Sequence, residues 1–182
     1  MDLTGRLVRL RGLREADVPR LVEILADPVV TAALPLWALR PIGAEDVRRL
    51  IHDTAGGSVR WAVEELPAGC LVGMAALVRV DTRDRNADLE VVIGPPDRWG
   101  RGLGTDACRL ATTFALAHLS VEKVTAAVPA TNPAARCAAE RAGYVLEGVQ
   151  RRHELHDGNL VDLAVLAAFV EEEPWREAVA WT

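Results

Sequence analysis

The most informative stretch of the chain, residues 97–107, reads Asp97-Arg98-Trp99-Gly100-Arg101-Gly102-Leu103-Gly104-Thr105-Asp106-Ala107. Three glycines, Gly100, Gly102 and Gly104, stand at alternate positions just before a segment whose apolar residues recur at helical spacing. Glycine removes the side chain where the backbone must approach another group closely. The N–H groups at a helix N-terminus form an anion site, and phosphate is its usual ligand. The stretch therefore predicts either a phosphate-binding loop or a tight turn closed by glycines.

The spacing of this loop excludes two common phosphate-binding motifs. A P-loop ends in Gly-Lys-Ser or Gly-Lys-Thr, whereas the single lysine of this chain, Lys123, follows Glu122. The dinucleotide fingerprint G-x-G-x-x-G places its third glycine three residues after the second, but Gly104 follows Gly102 by two. If the loop binds phosphate, it therefore does so in another fold.

Apolar periodicity predicts one domain over residues 1–182, with strands and helices alternating along it. Strands are expected at Leu7–Arg11, Val59–Glu64, Cys70–Val80, Ala87–Ile93, Lys123–Val128, Tyr144–Leu155 and Leu160–Phe169. Helices are expected around Val18–Leu25 and Val47–Ile51, from the glycine loop to Phe114, and from Asn132-Pro133 to Gly143. This order predicts an α/β fold, a central twisted mixed sheet of about seven strands flanked by about four helices.

Composition narrows the class of protein. The chain has 182 residues, 50% hydrophobic and 26% charged, with a formal net charge of −5. This balance lacks the basic footprint of a nucleic-acid-binding protein and favours cationic partners such as amines. Neither a membrane span nor a signal peptide is predicted, so we expect a cytoplasmic protein. The three cysteines form no C-x-x-C pair, and no metal site is predicted.

Read with its flanks, Trp99–Ala107 resembles the acyl-CoA pyrophosphate loop of the GNAT superfamily of N-acetyltransferases. More narrowly, it resembles the ribosomal-protein-alanine acetyltransferase-like (RimJ/RimL-like) branch. Four other parts of the chain are also similar to that branch. They are Leu10-Arg11-Gly12-Leu13 with Asp17, the predicted strand Ala87–Ile93, the helix from Asn132 to Gly143-Tyr144, and the hairpin residues Arg151-Arg152, Asp157-Gly158 and Asp162. The resemblance covers nearly the whole chain and implies a GNAT-like acyl-CoA N-acyltransferase fold.

The resemblance also implies a reaction and a cofactor site. It implies direct transfer from acetyl-CoA to a primary amine, either a protein N-terminus or a small amine such as an aminoglycoside, polyamine or amino sugar. The pyrophosphate would lie on the N–H groups of Arg101 to Thr105, within the loop residues Trp99, Gly100, Arg101, Gly102, Leu103, Gly104 and Thr105. The pantetheine arm would pair with the backbone of Val92 and Ile93, and Asn132 would cap its helix and help order the cofactor.

The catalytic groups are less well defined by the sequence. An alkyl amine, with a pKa of about 10, arrives protonated and needs a general base. Glu90, on the strand that carries the thioester in the family, and Glu154, in the closing hairpin, are the candidate catalytic residues, with His153 and His156 as alternatives. The two positions where relatives place a proton donor, Ser or Tyr, are here Ala135 and Ala139. We therefore expect no general acid at either position.

Two other functions are compatible with the sequence. The two alanines favour a non-catalytic module that binds acyl-CoA without transferring the acyl group. An aminoacyl-tRNA-using transferase on the same fold is the third alternative, and the net charge of −5 argues against it. A monomer and a homodimer are both compatible with the sequence.

Overall fold

A computed structural model describes residues 2–32, 34, 41–52, 57–171 and 180–181. The strands are β1 (Leu3–Thr4), β2 (Val8–Gly12), β3 (Val59–Glu65), β4 (Cys70–Asp81), β5 (Asn86–Ile93), β6 (Lys123–Pro129), β7 (Val145–His156), β8 (Asn159–Phe169) and β9 (Ala180–Trp181). The α-helices are α1 (Val18–Ala26), α2 (Pro28–Thr31), α3 (Ala44–His52), α4 (Leu103–His118) and α5 (Pro133–Ala142).

The predicted α/β fold with a mixed sheet is confirmed, and all seven predicted strands and four predicted helices are present. The structure adds two strands of two residues, β1 and β9, and the four-residue helix α2. Elements this short contain too few residues to show a period of 2 or 3.6. Asp27 follows the last residue of α1, and its side chain accepts the N–H groups of Val29 and Val30 and so begins α2.

The sheet has the strand order β7-β8-β6-β5-β4-β3-β2-β1-β9. All neighbouring strands are antiparallel except β5 and β6, which run parallel. Their pairing extends only from Asn86 opposite Lys123 to Asp88 opposite Thr125, although β5 continues to Ile93. A gap therefore opens in the middle of the sheet, between the carboxyl-terminal halves of β5 and β6.

Helices cover both faces of the sheet. Helices α4 and α5 pack on one face, where Leu77, Leu110 and Leu166 belong to the larger apolar cluster. Helices α1 and α3 pack on the other face, in a smaller cluster that includes Leu21 and Met74. Within the described ranges, none of the helices combines the length and apolar character needed to cross a membrane.

Candidate active site

The glycine loop connects the end of β5 to the start of α4. A short 3₁₀ turn, Pro96–Arg98, precedes it, and Gly100 and Gly102 have φ angles of 72° and 84°. Side chains other than glycine are strained in this left-handed region. Turn geometry alone therefore accounts for two of the three glycines.

Gly104 is the second residue of α4 and, unlike Gly100 and Gly102, it does not have a positive φ angle that requires glycine. A Cβ at this position would make only ordinary contacts, 3.8 Å from Ala138 Cβ and 3.8 Å from Ile93 Cγ1. Glycine within a helix costs roughly 0.5–1 kcal/mol relative to alanine. The fold has room for a methyl group at Gly104 and gains nothing from glycine, so the glycine favours close approach of a ligand to this helical turn.

The N-terminus of α4 has no side-chain cap. Its N-cap is Gly102, which has no side chain, and the first backbone bond runs from the Asp106 N–H to the Gly102 carbonyl at 3.0 Å. The N–H groups of residues 103–105 precede this bond and have no acceptor within the helix. Three donors and the positive end of the helix dipole therefore face the loop, an arrangement suited to phosphate.

A buried carboxylate orients the two arginines of the loop. Glu65, 6% exposed at the end of β3, accepts Arg98 Nη1 at 2.5 Å and pairs with Arg101 Nη2 at 2.9 Å. The Arg101 side chain remains 51% exposed, so its guanidinium keeps donors for an anion in solution. The sequence does not reveal this role of Glu65, because nothing in a strand indicates that its last carboxylate reaches a loop more than thirty residues away.

The gap in the sheet exposes backbone groups of β5. Gly94 donates its N–H to the Val72 carbonyl on β4 at 2.9 Å, so the alternation of an antiparallel ladder turns Val92 toward β4 and turns Val91 and Ile93 toward the gap. A Cβ on Gly73 of β4 would lie 1.9 Å from the Val92 carbonyl oxygen, which agrees with this orientation. For pairing with a pantetheine arm, the alternation favours Val91 and Ile93 over the expected pair of Val92 and Ile93.

Asn132 forms the predicted N-cap of α5. Its Oδ1 accepts the N–H of Ala135 at 3.0 Å, and Gly143, with a φ of 106°, ends the helix as predicted. Ala135 is half-buried, and Ala139 is 3% exposed within the larger apolar cluster. A methyl group at either position donates no proton.

Glu90 lines a pocket of about 260 Å³ on the face of the sheet that carries α1 and α3. The walls come from α3 and from three neighbouring strands: Leu50, Arg60, Met74, Ala76, Val78, Arg79, Glu90 and Val92. Glu90 is exposed overall, yet desolvation against these walls raises its carboxyl pKa. The charges of Arg60 and Arg79 act in the opposite direction, and that of Asp88 in the same. A carboxylate with a raised pKa is better matched to taking a proton from an amine.

Glu154, the second candidate base, lies away from this pocket. It pairs with Val161 across the β7–β8 hairpin, and its carboxylate contacts His156 Nε2 at 3.3 Å. Three strand spacings and four residues along β8 separate it from Glu90, which amounts to on the order of 20 Å. Glu90 and Glu154 are therefore too far apart to accept a proton from the same amine nitrogen.

The only tyrosine of the chain, Tyr144, lies in the core. It is 3% exposed, and its hydroxyl bonds to Thr112 Oγ1 at 2.6 Å. Burial raises the pKa of Tyr144 well above its usual value, and it raises the pKa of the buried Cys108 thiol to about 12. Neither group is placed to exchange protons with a bound substrate. Among the described residues, no three His, Cys, Asp or Glu side chains cluster closely enough to hold a metal.

Comparison with known proteins identifies the family. The sequence profile described as the acetyltransferase (GNAT) domain matches residues 7–145. An uncharacterised N-acetyltransferase, p20, from Bacillus licheniformis is 22% identical over 173 residues, which cover 93% of this chain and 96% of p20.

Solved structures show the same fold. The spermidine N-acetyltransferase of Vibrio cholerae, in complex with CoA and spermine, has a TM-score of 0.77 at 22% identity and covers 90% of this chain and 96% of its own. RimJ of Mycobacterium smegmatis, in complex with CoA-disulfide, has a TM-score of 0.83 at 21% identity and covers 96% of this chain and 90% of its own. The resemblance drawn from the glycine loop is confirmed: the chain belongs to the GNAT family of acetyltransferases.

Proposed function

We propose that the chain is an acetyl-CoA-dependent N-acetyltransferase that moves the acetyl group directly to a primary amine held in the Glu90 pocket. Gly104 supports the cofactor half of this proposal, because the fold leaves space for a methyl group there and glycine weakens the helix relative to alanine. A ligand that must touch the backbone at this turn explains the glycine.

The residues around the loop fit the cofactor. The N–H groups of residues 103–105 and the guanidinium of Arg101 would hold the pyrophosphate. The outward backbone groups of Val91 and the N–H of Ile93 would pair with the pantetheine arm in the gap between β5 and β6, while the Ile93 carbonyl accepts the indole N–H of Trp99. Bound acetyl-CoA supplies a thioester whose acetyl carbon is open to attack by an amine.

Glu90 supplies the proton acceptor. It lies on β5 three residues before Ile93, about 10 Å along the strand, beside the gap in the sheet. Glu90 takes a proton from the ammonium form of the substrate, and the freed nitrogen forms its bond to the acetyl carbon as the carbon–sulfur bond breaks. The acylated nitrogen then loses its second proton to solvent, which leaves the neutral amide. The thiolate of CoA, with a pKa of about 8.5, leaves unprotonated, and solvent protonates it afterwards.

Relatives support an amine as the acceptor. The V. cholerae enzyme is named a spermidine N-acetyltransferase, and its structure holds spermine. For this chain we propose a primary amine as the acceptor.

Mass spectrometry of acetyl-CoA with a panel of primary amines tests this function, since each acetylated amine gains one acetyl group. We expect Glu90→Gln to lower kcat by roughly 10²–10⁴-fold with little change in acetyl-CoA affinity. Glu154→Gln is the matched control and should leave kcat within about twofold, because Glu154 lies outside the pocket.

Two outcomes would replace the proposal. Tight acetyl-CoA binding without transfer to any amine would indicate the acyl-CoA-binding module, which Ala135, Ala139 and the buried Tyr144 favour. Salt-dependent binding of tRNA would indicate the aminoacyl-tRNA-using transferase.

A further inference from the structure

The floor of the Glu90 pocket is a row of three residues from three adjacent strands. Arg60 on β3 lies directly opposite Ala76 on β4, and Ala76 lies directly opposite Glu90 on β5. Directly opposed residues have Cβ atoms about 5 Å apart, so Arg60 and Glu90 begin about 10 Å apart on the same face. Ala76, between them, lines the same pocket with a single uncharged methyl group.

This row has a cation at one end and an anion at the other. The guanidinium of Arg60 acts on Glu90 through its charge, and so does that of Arg79, which itself pairs with Asp88. A guanidinium has five N–H donors, so Arg60 can bind an anion while it contacts another group of the protein. The pocket therefore matches a ligand of opposite polarity, with an ammonium at Glu90 and an anion near Arg60.

We infer that the acceptor is a small zwitterionic amine, such as an amino acid, whose carboxylate lies at Arg60 while its amine lies at Glu90. This inference rests on the proposed function and names the substrate class of the same site. The carboxylate and amine of an amino acid are separated by two or three bonds, and the two long side chains can close from both ends onto so short a ligand.

The same charges disfavour a polyamine. A polyamine carries about one positive charge per nitrogen at neutral pH and needs several carboxylates. Glu90 is the only carboxylate among the described residues that line the pocket, and two arginines accompany it. The substrate class inferred for this chain thus differs from the spermine bound by its V. cholerae relative.

Matched pairs of acceptors test the inference. Each pair is an amino acid and its amide, which share the amine and side chain and differ in the carboxylate. We expect kcat/KM to favour the acids by about ten- to a hundredfold, the range for a hydrogen bond to a charged group. Spermidine should be acetylated less efficiently than the preferred acid. Preference for amides, or for spermidine, would overturn the inference.

Substitutions at Arg60 test whether this side chain causes the preference for amino acids over their amides. Arg60→Gln should reduce the ratio of acid to amide to near one, and Arg60→Lys should keep part of it, because the charge remains. Arg20→Gln, on the exposed face of α1, is the matched control and should leave the ratio unchanged. A preference that survives Arg60→Gln in a folded protein would contradict the assignment.

A binding measurement separates this inference from the proposed function. N-acetyl amino acids and their amides are titrated calorimetrically into the protein saturated with CoA. If transfer is absent but the carboxylate forms bind more tightly in an Arg60-dependent manner, the proposed catalysis fails and the inferred ligand class stands. If transfer occurs and neither kcat/KM nor binding favours the carboxylate, the inference fails and the catalysis stands.

Discussion

The indole Nε1 of Trp99 donates a hydrogen bond of 2.5 Å to the backbone carbonyl of Ile93. This contact ties the glycine loop to the last residue of β5, at the open end of the gap that begins after Asp88. The candidate pyrophosphate site and the candidate pantetheine path are thereby joined by one side chain, although Trp99 itself is 39% exposed.

Trp99→Phe keeps an aromatic ring and removes the donor. One such hydrogen bond contributes about 1 kcal/mol, so we expect acetyl-CoA affinity to fall by up to about fivefold. The free energy of unfolding should change by less than about 1 kcal/mol, since the ring is partly exposed. Calorimetric titration and chemical denaturation measure the two quantities. Unchanged affinity would show that the contact does not position the loop.

The pH dependence of the Glu90→Gln variant tests the base. Glu90 acts as a base only when ionised, and its pKa is raised, so the wild-type rate should rise with pH as this carboxyl loses its proton. The deficit of Glu90→Gln should shrink at high pH, where the amine loses its proton unaided. A deficit that is constant from neutral to alkaline pH would instead assign Glu90 to substrate positioning.

Tyr144→Phe tests whether the only tyrosine takes part in proton transfer. Because its hydroxyl is buried against Thr112, we expect kcat to stay within about threefold of wild type and stability to fall by about 1 kcal/mol. The wild-type rate profile should show no alkaline fall from a tyrosine. A loss of kcat of a hundredfold or more in a folded Tyr144→Phe protein would give this residue the role of general acid.

A buried ion-pair network lies on the face of the sheet that carries α1 and α3. Arg11, 5% exposed, bonds Asp17 at 2.7 Å and Glu64 at 2.5 Å. The hydrogen bond from Arg11 lowers the pKa of Asp17. Burial by itself would raise the pKa of Glu64, but the hydrogen bonds from Arg11 and Arg9 outweigh burial, so the pKa of Glu64 is lowered as well. Lowered carboxyl pKa values stabilise the fold above about pH 4, and this contribution is lost as the pH falls through the folded-state values.

Asp17→Asn leaves the buried Arg11 with one charged partner fewer. We expect the free energy of unfolding at neutral pH to fall by about 3 kcal/mol, and its decline below about pH 4 to become shallower. Glu23→Gln, in the exposed pair with Arg20, is the control and should change stability by less than about 0.5 kcal/mol. A similar small effect for Asp17→Asn would show that the network does not stabilise the fold.

Much of the fold follows from local patterns in the sequence. The helix capped by Asn132 and ended by Gly143 was predictable because both end signals are short-range. The glycine loop was predictable for the same reason. The contact of Glu65 with Arg98 and the row from Arg60 to Glu90 were not, because they depend on strand register, which one strand alone does not reveal.

The sequence alone could not distinguish the two candidate bases either. Glu90 and Glu154 were equivalent in the sequence, since each is a carboxylate on a predicted strand. Strand order separates them, because two strands lie between β5 and β7 and only Glu90 lines the pocket.

We propose that acetyl-CoA binds against the backbone at Gly104, and calorimetric titration of Gly104→Ala with acetyl-CoA tests this contact. The fold leaves room for this methyl group, so stability should stay equal or rise by up to about 1 kcal/mol. We predict that acetyl-CoA affinity nevertheless falls at least tenfold, and further in Gly104→Val. Undiminished affinity in both folded variants would contradict the claim and leave the glycine loop as a turn alone.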